Sequence, residues 1–352
     1  MGVAALVLLG LAVLGVLYQT VGSRRGARRF PPPGQLVDVG DYRLHTVCLG
    51  SGSPAVLLES GIAASSLSWT FVQPNVAQFT QVCAYDRAGL AWSDGSPAPR
   101  TFDQIVEDLH KLLTTAKLSL PYVLVGHSFG AFVCLAYAAE YPNETAGLVL
   151  VDPPSEWMEL TRRQTRMLQG GIYLSRLGEL LARLGFVRAC LAMLTGGAPG
   201  IPRNFVKMFG PTTARTLERL VGEVQKLPPH IHPVVQALWC QPKCFRAMAD
   251  HLGILGAKAP TITRAAMADL PLVVMSSADQ PANILVAHEV LAQMSTRGRH
   301  VVAANSGHWI QLDQPALVVD TIREVVEIAR QRRAEAAETG STRRPPGPQK
   351  PI

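Results

Sequence analysis

The 352-residue sequence predicts an α/β fold: a mainly parallel sheet with helices on both faces, an inserted helical subdomain, and one membrane-spanning helix in front. Three observations carry that expectation. Short apolar runs of strand length alternate with stretches of helical spacing, the pattern that buries a parallel sheet between helices. The alternation is broken between residues 153 and 265 by a Leu-, Arg-, Met- and Gly-rich segment with few strand signals. Finally, no residue from Val3 to Gly22 is charged, and at about 1.5 Å per helical residue this run reaches the roughly 30 Å of a bilayer core.

Taken in order, residues 1–29 form the anchor and its basic flank. The segment reads as an uncleaved anchor, because it lacks a basic start and a small-residue cleavage site. Arg24, Arg25, Arg28 and Arg29 follow the apolar run, so the positive-inside rule places a single-pass protein with its catalytic domain in the cytoplasm. Pro31-Pro32-Pro33-Gly34 reads as a stiff spacer. Residues 30–152 form the first part of the core. Gln35 to Val39 and Tyr42 to Leu49 alternate apolar and polar residues around Gly40-Asp41, a hairpin signature. Strands are expected at Ala55 to Leu58, Val82 to Tyr85, Tyr122 to Val125 and Leu148 to Val151, with helices over Leu67 to Phe79, Phe102 to Lys117 and Phe129 to Tyr141. After the helical cap of 153–265, the core resumes over 266–330. Strands fall at Leu272 to Met275 and His300 to Ala303, and helices over Asn283 to Thr296 and Pro315 to Arg330. Residues 331–352, without an apolar period, read as a disordered tail.

With 48% hydrophobic and 17% charged residues, the chain is neither disordered nor collagen-like, and a single long apolar run excludes a polytopic transporter. Its net charge of +7 is unevenly spread. The cap holds fifteen Lys/Arg against six acids, whereas 30–152 and 266–329 together hold eight against eighteen. A nucleic-acid partner is not expected, since neither a stacking motif nor a base-reading helix accompanies the basic charge. The six cysteines lack metal-ligand spacing with histidine, and no metal or cofactor is called for. Cys48 and Cys83 in strands and Cys134 in a helix read as buried free thiols, in keeping with a reducing compartment. Asn143-Glu144-Thr145 is a glycosylation sequon that a cytosolic domain would leave unused.

Chemistry concentrates in Gly126-His127-Ser128-Phe129-Gly130, which follows a buried strand and opens a helix. In that context the G-x-S-x-G pattern is a nucleophile elbow that lifts the Ser128 hydroxyl above the sheet at the positive end of a helix. A serine needs a base and a carboxylate to orient that base. His308, after the last strand, is the base; His127 adjoins the serine but points the wrong way. Asp279, just past Leu272 to Met275, is the preferred acid. Asp152, at the end of Leu148 to Val151, is the alternative, and both satisfy the order Ser, Asp, His.

These residues resemble the α/β-hydrolase family. Tyr85-Asp86-Arg87-Ala88-Gly89-Leu90-Ala91-Trp92-Ser93 is similar to its Y-D-R-x-G-x-G-x-S segment, with Ala91 where a glycine is usual. Leu148 to Pro153 and Ser306 to Pro315 are similar to its L-V-L-V-D-P strand and its last histidine segment. The resemblance implies an oxyanion hole from the amides of Phe129 and Ile62, although Ser60-Gly61 stands where the family often has His-Gly. Serine at the elbow argues against the epoxide hydrolases and haloalkane dehalogenases of this fold, which place Asp there. What remains is a serine hydrolase cleaving a carboxylic ester through an acyl-enzyme. Its substrate would be a small-molecule or lipid-like ester, with the membrane reached through the N-terminal helix and the basic cap. An aminopeptidase-like amide or C–C bond hydrolase with the same triad is an alternative, with Glu156 and Glu159 as the close cap pair for a free amine. A membrane-tethered, non-catalytic binding protein on this scaffold is a second alternative. The Leu174, Leu177, Leu180, Leu181 and Leu184 row reads as a packing stripe of the cap.

Overall fold

A computed structural model describes residues 2–98, 100–154, 161–195, 224–255 and 267–341. Eight strands form one sheet: β1 (Gln35–Asp38), β2 (Arg43–Leu49), β3 (Ala55–Glu59), β4 (Val82–Tyr85), β5 (Tyr122–His127), β6 (Thr145–Val151), β7 (Leu272–Ser277) and β8 (Gly298–Ala303). Their order is β1-β2-β4-β3-β5-β6-β7-β8. The first hairpin and its junction to β4 are antiparallel, and every later neighbour is parallel. The helices are α1 (Gly2–Arg29), α2 (Gln73–Val76), α3 (Phe102–Thr115), α4 (Phe129–Glu140), α5 (Arg162–Arg183), α6 (Phe186–Thr195), α7 (His232–Trp239), α8 (Pro242–Leu255), α9 (Ala282–Ala292), α10 (Ile310–Asp313) and α11 (Pro315–Ser341).

The central strands are buried on both faces, so their side chains divide by parity between two cores. Leu57 of β3 joins Leu109, Phe132, Leu135 and Leu291 under α3, α4 and α9. Val56 and Leu58 join Val76, Val318, Ile322 and Val326 under α2 and α11 on the other face. This is the doubly covered parallel sheet that the apolar runs predict.

Four expectations need correction. The helix read over Leu67 to Phe79 breaks into a 3-10 turn (Ser66–Trp69) and the single turn of α2, because Pro74 resets the chain at the start of that turn. The tail is not disordered from residue 331: α11 continues to Ser341, and residues 342–352 lie outside the described residues. Cys48 and Cys83 are not free thiols. They face each other across the β2–β4 pair and form a disulfide, because the register brings two cysteines of one face opposite each other, which spacing alone does not reveal. Cys134, Cys190, Cys240 and Cys244 are free. Lastly, the leucine stripe of the cap is incompletely packed, with Leu180 53% exposed.

The cap packs chiefly through α5 against α8, and Gly178 lies where a Cβ would meet the Phe245 ring at 2.5 Å. From α8, His251 enters the core, fully buried, its ring 5.1 Å from that of Phe129. Burial holds its pKa well below the ordinary histidine range, reinforced by Arg87 and Arg100. His251 is therefore neutral when folded, whereas the unfolded chain binds a proton below about pH 6.5. Because the folded pKa of this base is depressed, its contribution is complete above that pH and is lost as pH falls. Between pH 7.5 and 5.5 the full-length protein in detergent should lose about 1.4 kcal/mol more stability than the variant His251→Leu. Urea midpoints at the two pH values measure this, and equal losses would contradict it.

Candidate active site

The elbow forms because two glycines let backbone segments touch. A Cβ at Gly126 would stand 2.5 Å from the Gly130 carbonyl oxygen, and one at Gly130 would stand 2.6 Å from the carbonyl of Glu59. Between them Ser128 adopts φ 51° and ψ −123°, a region that costs an L-residue on the order of 1–3 kcal/mol. The strain is held in place by the Ser128 amide, which donates to the Val151 carbonyl at 2.9 Å. Ser128 is half-buried at the start of α4, and the next amide, Phe129, is the first of a helix and has no partner within it.

His308 reaches the site on the loop after β8. Its Nδ1 lies 2.6 Å from Oδ2 of Asp152, and Asp152 is fully buried. An Nδ1–H donated to a carboxylate leaves the Nε2 lone pair as the basic atom. Asp279, preferred on sequence, does not hold this place: it is exposed in the turn beyond β7, and His308 turns its Nδ1 to Asp152. The reason lies in the sheet order. β6 lies directly beside β5, so a residue one step past Val151 stands next to the elbow, while Asp279 belongs to the next strand out and follows its last paired residue, Ser277, by two positions.

Asp152 is held on four sides. Its own amide donates to Met275 at 2.7 Å, Oδ1 accepts from the Ser277 amide at 2.9 Å, and Oδ2 accepts from Gln280 Nε2 at 2.8 Å as well as from His308. Burial pushes its pKa up, but His308, the Ser277 amide and Gln280 outweigh that and hold the carboxyl below its ordinary value. Gln280 was not legible as a site residue, since no motif contains it. His127 is buried beside the His308 ring, 4.8 Å between centroids. Its Nε2 donates to the His308 carbonyl at 2.9 Å. Burial first, then the nearby His308, lowers its pKa to about 3, so it stays neutral and acts as a strut under the His308 loop.

Arg87 performs the corresponding task for the loop that carries Ile62, the second oxyanion donor that the resemblance implies. Its guanidinium donates to the Ser60 carbonyl at 2.5 Å and to the Gly61 carbonyl at 2.6 Å. In the trans peptide between Gly61 and Ile62, a carbonyl drawn toward Arg87 directs the Ile62 N–H the opposite way. The backbone there lies against the elbow, since a Cβ at Gly61 would be 3.3 Å from that of Ser128. Ser60, where the resembling family often has histidine, turns inward: its Oγ donates to Ser65 at 2.9 Å and accepts from Trp69 Nε1 at 3.1 Å. Ala91, where a glycine is usual, keeps the turn at φ 39°. Glu156 and Glu159 lie outside the described residues.

Comparison with known proteins agrees with this fold. A family model described as the alpha/beta hydrolase fold matches residues 54–174. Among curated proteins, the chain is similar to the uncharacterized protein YqjL of Bacillus subtilis, 36% identical over 104 residues, covering 30% of this chain and 41% of that one. The chain thus spans less than half the length of that relative. Among solved structures, an esterase from Thermogutta terrifontis superposes with a TM-score of 0.59 at 20% identity, over 82% of this chain and 94% of that one. A putative epoxide hydrolase from Pseudomonas aeruginosa gives a TM-score of 0.64 at 18% identity, over 84% and 96%. The chain has the α/β-hydrolase fold.

The exchange Asp152→Asn should lower kcat/KM about 10⁴-fold by fixing the wrong imidazole tautomer. Asp279→Asn should leave it within a few-fold. Steady-state kinetics on a chromogenic ester compare the two, and the reverse ranking would restore Asp279.

Proposed function

We propose that the protein is a serine hydrolase that cleaves a carboxylic ester through an acyl-enzyme. The single observation that carries this reading is the 2.6 Å bond from Asp152 to His308 beside the strained Ser128 elbow. In the proposed sequence, His308 Nε2 takes the Ser128 proton as Oγ attacks the ester carbonyl. The amides of Phe129 and Ile62 receive the oxyanion. His308 then gives the proton to the leaving alcohol, and a water deprotonated by the same nitrogen releases the acid. Each oxyanion donor is worth about 3 kcal/mol of barrier in such sites. A serine hydroxyl at the elbow, with a histidine held by a carboxylate, supports this over the aspartate nucleophile that the resemblance associates with epoxide hydrolases.

The cleft beside the site has a mainly apolar lining and a volume of about 30 Å³, which supports apolar contact with the acyl group. Leu67, Leu227, Val235, Trp239, Trp309 and Leu312 line it, with Ala64 of the loop that carries Ile62. A fluorophosphonate should label the folded protein, and Ser128→Ala should abolish labelling. Equal labelling of that variant would remove the proposal.

The compartment follows from a different pair of residues. α1 is long and apolar enough to span a membrane. The Cys48–Cys83 disulfide supports an oxidising compartment for the domain. We therefore place the catalytic domain on the non-cytosolic side, in revision of the cytoplasmic placement read from Arg24, Arg25, Arg28 and Arg29. Alkylation of the denatured, unreduced protein taken from cells should leave Cys48 and Cys83 unmodified until a reductant is added. Modification before reduction would return the domain to the cytoplasm.

A further inference from the structure

The anchor helix is not separate from the cap. A Cβ at Gly15 of α1 would overlap the Leu184 carbonyl, and one at Gly185 would stand 2.6 Å from the Gly15 carbonyl. Two glycines thus bring α1 against the turn between α5 and α6. Farther along, Gln19 is buried: its Nε2 donates to the Cys240 carbonyl at 2.9 Å, and its Oε1 accepts from Arg188 Nε at 2.9 Å. Arg188 also donates to Ser23, at 3.2 Å. A Cβ at Gly26 would stand 3.5 Å from the Ala237 side chain on α7.

This packing sets a depth. If the uncharged run from Val3 to Gly22 fills the hydrocarbon, Gly15 lies about 10 Å inside its boundary, at roughly 1.5 Å per residue. The Leu184-Gly185 turn touches Gly15 and must lie at the same depth. Arg188, beside Gly22 and Ser23, then falls at the headgroup level where a guanidinium is stable. The surface of the turn fits hydrocarbon: Leu180 is 53% exposed and Phe186 38%, next to the exposed apolar first half of α1. The corner also carries one charge, Arg183, whose side chain is 53% exposed and is paired with Glu179 at 2.8 Å. Arg176, Arg183 and Arg246 converge on Glu179.

We propose that the Leu180–Phe186 corner of the cap is inserted in the same phospholipid leaflet as α1, so that anchor and cap form one membrane-embedded unit. α7 connects this unit to the site. Val235 and Trp239 line the apolar cleft, while Ala237 and the Cys240 carbonyl at the helix end face α1. A lipid-like ester therefore enters the cleft from the leaflet rather than from water. This last step rests on the ester-hydrolase reading; the insertion itself does not.

The test separates the two. Full-length Phe186→Trp is reconstituted in phosphatidylcholine vesicles with and without bromine on the acyl chains. The added tryptophan should emit in the blue and be quenched by bromine beyond the parent's background, whereas Val286→Trp on the exposed face of α9 should not be. Added emission from Phe186→Trp that stays red and unquenched overturns insertion whatever the enzyme hydrolyses. In the same vesicles, Leu180→Arg with Phe186→Arg should lower turnover of a long-chain ester at least about tenfold, given the cost of arginine in hydrocarbon. Turnover of a short-chain aryl ester in detergent should stay within about twofold, since these residues are remote from the triad. Equal long-chain turnover in parent and variant overturns entry from the leaflet. Absence of short-chain turnover in the parent overturns the ester reading and leaves the quenching result standing.

Discussion

The buried pair of Arg87 and Glu59 is the constraint on which the site depends. Both side chains are at most 2% exposed, and Glu59 is also bonded by Tyr85. Burial raises the Glu59 pKa, and Arg87 with Tyr85 works against that rise. Deleting either partner of such a pair leaves an unpaired charge in the interior, at a cost of about 3–5 kcal/mol. The arrangement does more than balance charge. Glu59 ends β3, Arg87 follows β4, and the remaining guanidinium donors hold the Ser60 and Gly61 carbonyls. Asp86, between Tyr85 and Arg87, accepts from the Ser66 amide at 2.7 Å and so secures the far end of the same loop. The Tyr85-Asp86-Arg87 segment thus serves as the scaffold of a loop whose backbone lies against the Ser128 elbow. Its three side chains work from behind the loop.

Much of this was legible in the sequence because it depends on neighbours along the chain. The elbow is a local steric problem, and Gly126, Ser128 and Gly130 announce it. Strand β5 was legible from its apolar run, and His308 from its place after the last strand. What the sequence left open depends on neighbours across the sheet. Asp152 and Asp279 both follow strands and both precede His308, and only the adjacency of β5 and β6 separates them. Cys48 and Cys83 are separated by 35 positions, and their pairing is a matter of β2–β4 register. Gln280 belongs to no pattern at all, because an amide that braces a carboxylate needs only to be within reach. The cap was read as helical, but its attachment to α1 rests on Gly15, Gln19 and Gly185, which look like ordinary members of apolar or flexible stretches.

The two halves of the active site are supported in different ways. The triad side rests on the rigid sheet: Asp152 is bonded to β7 atoms and His308 is propped by His127 on β5. The cleft side rests on α7, an eight-residue helix whose opposite end is bonded to the anchor. On the proposed function, chemistry is therefore fixed by the core, and substrate fit by the cap.

The glycines of the elbow have a consequence for descent. With Gly126, Gly130 and Gly61 each in contact with backbone or ring atoms, the floor of the site has no volume to lend to a new side chain. Lineages that share this nucleophile can diversify only through the roof. On the proposed function, a sequence change in α7 or in the turn facing it would alter which molecules are accepted without touching how they are cleaved. On the proposed function, the helical cap is thus the part of the chain in which its history of substrates is written.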